Sequence, residues 1–238
     1  MISIKNLCKN FQTLKAVDNL SLEIFEGETF ALLGLNGAGK STTINILCGL
    51  LQKTSGQIQV EKFDLDKDIA EIKKIINLSP QETAIANNLT VKENLEFIAN
   101  LYKVPNLKQK TDQMLETFDL LQKKNTLAKK LSGGQKRKLS IAMALITNPK
   151  ILILDEPTLG LDIKSRKALW NIISSLKGKT TIILTTHYLE EAETLSDRIG
   201  IMTNGKLVAL GTKEEIISKS QKPNFEDAFL YFAGGEDE

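Results

Sequence analysis

Cysteine and histidine are scarce in this 238-residue chain, with two of the first and one of the second. Cys8 and Cys48 are too few and too isolated for a disulfide framework or a zinc site. Cys48, in an apolar helical stretch, reads as a small buried hydrophobe, and this usage fits a reducing cytoplasm. Long apolar runs are missing too. None approaches the ~18 residues needed to cross a bilayer, and the longest, such as Thr180–Leu184, have strand length. The N-terminus, Met1-Ile2-Ser3-Ile4-Lys5, has no basic region ahead of an apolar stretch, so it does not read as a secretion signal. A net charge of +2 lacks the basic balance of a nucleic-acid binder. What is present, 42% hydrophobic and 25% charged residues, is ordinary for a globular protein. The length suits one domain, or a domain with an insertion, around a sizeable core.

Periodicity sets the organisation. Ile2 and Ile4, then Leu20, Leu22 and Ile24, alternate with polar residues, which predicts half-buried antiparallel strands. Thr29–Leu33 predicts a buried strand, residues 40–50 a helix, and Gly56–Val60 and Ile75–Leu78 two more strands. The period then changes. Val91, Leu95, Ile98 and Leu101 predict one amphipathic helix, and Leu107, Met114, Leu115, Phe118 and Leu121 a second after the break at Pro105. No strand pattern interrupts 90–148, so a helical insertion is expected there. From Ile151 strands and helices alternate again: Ile151–Leu154, a helix near 163–176, then Thr180–Thr185. That alternation predicts an α/β fold with a mostly parallel sheet. Gly200–Met202 and Lys206–Leu210 around Asn204-Gly205 predict a hairpin, and Gly234–Glu238 a polar tail.

The chemistry concentrates in three stretches. Gly34-Leu35-Asn36-Gly37-Ala38-Gly39-Lys40-Ser41 is a phosphate-binding loop placed between strand and helix. Its glycines let backbone N–H groups turn inward, and the following helix adds its positive end. Lys40 should reach the terminal phosphates, Ser41 should ligate Mg²⁺, and Thr42 adds a contact on the α-phosphate side. Ile151–Glu156 places two carboxylates at the carboxyl end of a buried strand, the ligand-binding edge of an open parallel sheet. Asp155 suits Mg²⁺, and Glu156 suits the attacking water. Ser132-Gly133-Gly134-Gln135 fits a capping box whose glycines expose N–H groups, making a second anion site. Lys136, Arg137 and Lys138 read as a solvated cationic face beside it.

In order and spacing these motifs resemble the ATP-binding subunit of an ATP-binding cassette (ABC) transporter over essentially the whole chain. Gly34–Ser41 matches Walker A, Gln81 the Q-loop, and Leu131–Gln135 the signature. Asp155 and Glu156 match Walker B, Leu161-Asp162 the D-loop, and His187 the switch histidine. Phe11 falls where the family stacks an aromatic on adenine. The resemblance implies a P-loop NTPase of RecA-like type with an N-terminal antiparallel β portion and an inserted ABC-type helical subdomain. Its core would be 1–85 and 149–220, its insertion 86–148, and a C-terminal helix and tail 221–238. It implies ATP and Mg²⁺ as cofactors, with the metal at Ser41, Gln81 and Asp155 and the catalytic work on Glu156, His187, Gln81 and Lys40. It also implies head-to-tail dimerisation, a homodimer being expected and a heteromeric pair left open. Each ATP would then lie between one chain's Gly34–Ser41 and the other's Ser132–Gln135, with Asp162 nearby. A separate membrane permease would dock near Gln81 and the helical insertion, putting the chain on the inner face of the membrane, with no nucleic acid as partner. The preference for adenine comes from the resemblance, and the absence of a GTPase-type N-K-x-D motif points the same way.

The stretch Thr185–Glu193, Asp197-Arg198-Ile199 and Phe225–Phe229 resemble exporters of the drug, antibiotic and polysaccharide type. The alternative is a non-transport ABC ATPase acting on a ribosome, nucleic acid or other assembly, against which stand the single cassette and the lack of sustained heptads. A non-hydrolysing adaptor is a third reading, opposed by Glu156 and His187. Trp170, among Leu169, Ile172, Ile173 and Leu176, reads as packing.

Overall fold

A computed structural model of the chain describes residues 1–234; of the polar tail, residues 235–238 lie outside the described residues. The alternating N-terminal stretch forms β1 (Ile2–Phe11) and β2 (Leu14–Ile24), paired antiparallel with Ile2 opposite Ile24 and Ile4 opposite Leu22. Their apolar faces are buried as the alternation requires. Between Ile4 and Asn10 the register slips, which bends and twists the ribbon.

β3 (Thr29–Leu33) is buried along its whole length and runs through the phosphate loop into α1 (Lys40–Leu47). The helix stops short of the expected residue 50. Gly49 adopts φ +64°, its N–H donates to the Ile46 carbonyl at 2.9 Å, and the Leu50 N–H donates to that of Asn45 at 2.8 Å. This glycine-centred C-terminal motif halts the helix. Cys48, just before it, is buried, and burial pushes its thiol up to about 12, so it behaves as the expected hydrophobe.

β4 (Ser55–Val60) and the short β5 (Phe63–Asp64) complete a four-stranded antiparallel sheet ordered β2-β1-β4-β5. Next come α2 (Ile69–Ile75) and β6 (Ile76–Ser79). Ile75 thus belongs to a helix and not to the expected strand, because Ile69, Ile72 and Ile75 repeat at helical spacing.

α3 (Val91–Leu101) opens with a reciprocal Thr90–Glu93 capping box. It packs Val91, Leu95 and Ala99 on Met114 and Leu115 of α4 (Leu107–Thr117) and on Phe118. Leu101, expected on the buried stripe, is 66% exposed. α5 (Gly133–Leu145) then returns to the sheet. Asn77 donates to the Ala144 carbonyl and Thr147 hydroxyl at 3.0 Å each, and the buried Ser79 and Ser140 hydroxyls lie 2.9 Å apart. These bonds fix α5 to β6.

Strand–helix alternation resumes with β7 (Ile151–Asp155), α6 (Ile163–Ser174), β8 (Thr181–Thr186) and α7 (Leu189–Leu195). β9 (Arg198–Thr203) and β10 (Lys206–Gly211) form the expected hairpin, with Asn204 and Gly205 at φ +47° and +78°. Both left-handed dihedrals match a type I′ turn. α8 (Lys213–Ser220) and α9 (Phe225–Ala233) close the described chain. The second sheet has the order β10-β9-β3-β8-β7-β6 and is parallel except at β9–β10. Leu33 aligns with Thr186, and Asp155 with Thr185. The carboxyl ends of β3, β7 and β8 therefore share one edge, and everything that follows them emerges there.

Candidate nucleotide-binding and catalytic site

At that edge the Gly34 N–H donates to the Thr186 carbonyl at 3.2 Å, pinning the loop to the end of β8. Two of its glycines are dictated by contact and dihedral. A Cβ on Gly34 would meet the Met202 carbonyl oxygen at 2.3 Å. Gly39, at φ +101°, would bring a Cβ within 2.4 Å of the Ala16 carbonyl oxygen. No side chain caps α1 and no acid lies in its first turn, and the positive end of a helix favours negative charge. Leu35, Asn36 and Gly37 are exposed at the loop's crest, Ala38 is buried beneath it, and Thr42 is half-buried.

Lys40 is 5% exposed. Its ammonium donates to the carbonyls of Gly34 at 2.7 Å and Leu35 at 3.2 Å, and lies 3.4 Å from Glu156 Oε1. The other oxygen of that carboxylate, Oε2, lies 2.8 Å from His187 Nδ1. Glu156 itself has φ +48°, uncommon for a side chain of this size. Its N–H donates to the Thr185 carbonyl at 3.2 Å and the Thr185 hydroxyl at 3.0 Å, which hold the residue there.

Asp155 Oδ1 accepts from the Ser41 hydroxyl at 3.1 Å and from the Thr185 hydroxyl. A hydroxyl and a carboxylate from two different elements thus converge as hard oxygen donors. That set fits Mg²⁺, which takes one or two protein oxygens plus phosphate and water. Among the described residues no group of three or more His, Cys, Asp or Glu is placed to hold a metal ion.

Ser132 and Gln135 form the expected capping box: the Gln135 N–H donates to Ser132 Oγ at 3.3 Å and the Ser132 N–H to Gln135 Oε1 at 3.1 Å. A Cβ on Gly133 would meet nothing within 4 Å, so this turn faces open space. Asp162 caps α6, accepting from the Ser165 N–H at 2.9 Å and hydroxyl at 2.7 Å, and those bonds hold its carboxyl below the usual range. Ser165 also borders Gly134, so the Asp162 turn and the signature turn are neighbours. Phe11 is 43% exposed at the β1 end, with the Lys9 ammonium 4.8 Å from its ring centre. Gln81 has an exposed side chain. Among the described residues, no hydrogen bond or ion pair joins Phe11, Gln81, Asp162 or Ser132–Gln135 to Gly34–Ser41.

The cationic face expected at Lys136–Lys138 needs correction. Arg137 is 4% exposed and turned into the protein. Its guanidinium donates to the carbonyls of Pro157 at 2.9 Å, Asp155 at 2.6 Å, Gln81 at 3.4 Å and Pro80. Burial lowers its pKa to about 10, with Asp155 and Glu191 opposing. A signal for this was present: Arg137 stands four residues before Ile141 and eight before Leu145, on the helix's apolar stripe.

Two further residues, read only as part of the Thr185–Glu193 stretch, take roles at the site. Thr185 bridges Asp155 and Glu156. Glu191, on α7, is fully buried and accepts from the Trp170 indole N–H at 3.1 Å. Burial pushes its carboxyl up, against the Thr186 and Thr158 hydroxyls and the indole. Trp170 packs as expected and also carries this bond.

The model of the ABC transporter family matches residues 17–159, from β2 to just past Glu156. The chain is 43% identical over 217 residues to the human phospholipid-transporting ATPase ABCA3, covering 89% of itself and 13% of that protein. It is 46% identical over 218 residues to ABC transporter A family member 5 of Dictyostelium discoideum, again 89% of the chain and 13% of the relative. It thus spans about an eighth of the length of these curated relatives. Among solved structures, an ATP-binding subunit of an ABC transporter superposes with a TM-score of 0.88 at 28% identity, covering 98% of this chain and 99% of that one. A dimeric ATP-binding cassette in a post-hydrolysis state, bound to ADP and Pi, superposes with a TM-score of 0.80 at 27% identity, covering 89% and 98%. No helix among the described residues is long and apolar enough to cross a membrane.

Proposed function

Because the chain belongs to the ABC transporter family, we propose that it binds and hydrolyses ATP to drive a membrane-spanning partner, in the export direction. The observation that carries this reading is the shared carboxylate of Glu156, set between Lys40 at 3.4 Å and His187 at 2.8 Å beside the Ser41–Asp155 pair. The N–H groups of Gly34–Ser41 hold the phosphates, and Lys40, drawn toward them, leaves Glu156 to orient the attacking water and accept its proton. His187 steers that carboxylate. Ser41 and Asp155 would hold Mg²⁺, with Gln81 as a further ligand, and its charge would stabilise the phosphoryl oxygens.

The capping box uses the Ser132 and Gln135 N–H groups and leaves those of Gly133 and Gly134, with no bond to the phosphate loop of the same chain, which supports a head-to-tail dimer with each ATP between two chains. The dimeric state of one structural neighbour supports a dimer here. The helical portion near Gln81 serves as the contact with the permease, on the inner face of the membrane, and the name of the human relative favours a lipid cargo. Substituting Glu156→Gln tests the reading. The variant should bind ATP, release phosphate at under ~1% of the parent rate, and accumulate as a dimer. Full phosphate release by E156Q removes Glu156 as the base.

A further inference from the structure

Arg137 is buried without a carboxylate in ion-pair range among the described residues, and all four groups it binds are main-chain carbonyls. A buried cation is an expensive fastener, and an apolar side chain of the same size would fill the space at lower cost. What the guanidinium supplies is a rigid fork of five donors pointing in fixed directions. Here the fork spans two segments. Asp155 and Pro157 flank Glu156 on either side, so two bonds bracket the residue held at φ +48°. Pro80 and Gln81 lie in the loop that follows β6. The arginine itself sits in the first turns of α5, two residues past Gln135.

We propose that Arg137 is a positioning residue that ties the Gln81 loop and the Glu156 segment to the signature turn of its own chain. It thereby lets ATP held at one chain's Gly34–Ser41 set the Ser132–Gln135 face that this chain offers to the second ATP. The inference rests on the dimeric ATPase reading above. Its physical basis is stiffness: a helix moves as a unit, so a shift at four carbonyls on one side of Arg137 displaces the capped turn two to five residues away. Lysine at this position keeps the charge and most of the stem. Its single ammonium is a point charge and cannot reproduce the planar fork that serves Pro80 and Pro157 from different nitrogens.

The experiment uses the full chain in the E156Q background, with R137K and R137M added. Three quantities are read: affinity for a fluorescent ATP analogue at dilutions where the chain is monomeric, ATP-dependent dimerisation by sedimentation, and the melting temperature. R137K should keep its nucleotide affinity within ~3-fold while dimerisation weakens about tenfold, the size of one lost charge-assisted bond. R137M should weaken it further; if R137M does not fold, R137K decides alone. Unchanged dimerisation in R137K overturns the proposal, and so do affinity and dimerisation falling together with the melting temperature, the mark of a merely loosened fold. An E156Q parent that binds no ATP or stays monomeric sinks the functional reading and the inference with it. A dimerising parent indifferent to R137K sinks the inference alone.

Discussion

His187 Nδ1 lies 2.8 Å from Glu156 Oε2, and the ring is a quarter exposed while the carboxylate is 5% exposed. The only histidine of the chain, one residue past the end of β8, thus meets the Glu156 carboxylate at the shared edge. Substituting His187→Ala should leave ATP affinity within a few-fold and lower kcat by about two orders of magnitude or more, the range of positioned proton-transfer groups. Phosphate release at varied ATP separates the two. A raised KM at unchanged kcat would assign His187 to binding instead.

Lys40 trades partners in the proposed cycle, from Glu156 to phosphate. Lys40→Met removes the cation and keeps the stem, so ATP affinity should drop by about 100-fold, roughly two charge-assisted bonds. Titration with a fluorescent analogue measures it. Affinity that survives counts against a phosphate contact.

Two glycines of one loop should differ in cost. Gly37→Ala meets nothing within 4 Å and bears only the dihedral penalty at φ +84°, about 1 kcal/mol. Gly39→Ala adds a collision with the Ala16 carbonyl oxygen at 2.4 Å and should cost about 3 kcal/mol. Urea melts of both variants would rank them; equal costs would mean that the β2 backbone yields freely.

Glu191 makes stability depend on pH. Burial first, and then the nearby Glu156 charge, raise its folded-state pKa above the unfolded one. Its contribution is complete below the ordinary carboxylate value and fades as pH climbs through the raised value. Glu191→Gln stays neutral throughout and keeps an acceptor for the Trp170 indole. The melting temperature of the parent minus that of E191Q should therefore fall from acid to alkaline pH. Parallel curves would show that Glu191 titrates alike in both states.

Much of this architecture is legible in the sequence because alternation and the glycine-rich loop act locally. Thr29–Leu33, Ile151–Asp155 and the hairpin at Asn204-Gly205 need only their own residues to be read. The short elements were not legible: α2 presents two turns, and β5 two residues, too little for a period to emerge. α7 and α8 likewise gave no separate signal. The shared edge is legible from strand–loop order, but the web that joins Lys40, Glu156 and His187 depends on the register of β3, β7 and β8. Arg137 misled for a different reason. Flanked by Lys136 and Lys138 it looks like one of three surface charges, and only helical spacing from Ile141 separates it from them.

Trp170 is the chain's only tryptophan, and its indole N–H is held by Glu191, four residues beyond His187. Arg166 lies over the same ring, its guanidinium carbon 5.8 Å from the centre. That indole is thus in contact with a carboxyl group riding on α7 and a cation on its own helix. Any displacement of the His187 segment against α6 changes the indole's surroundings. The protein carries its own optical gauge of that segment, one that stopped-flow mixing with nucleotide can read without a label.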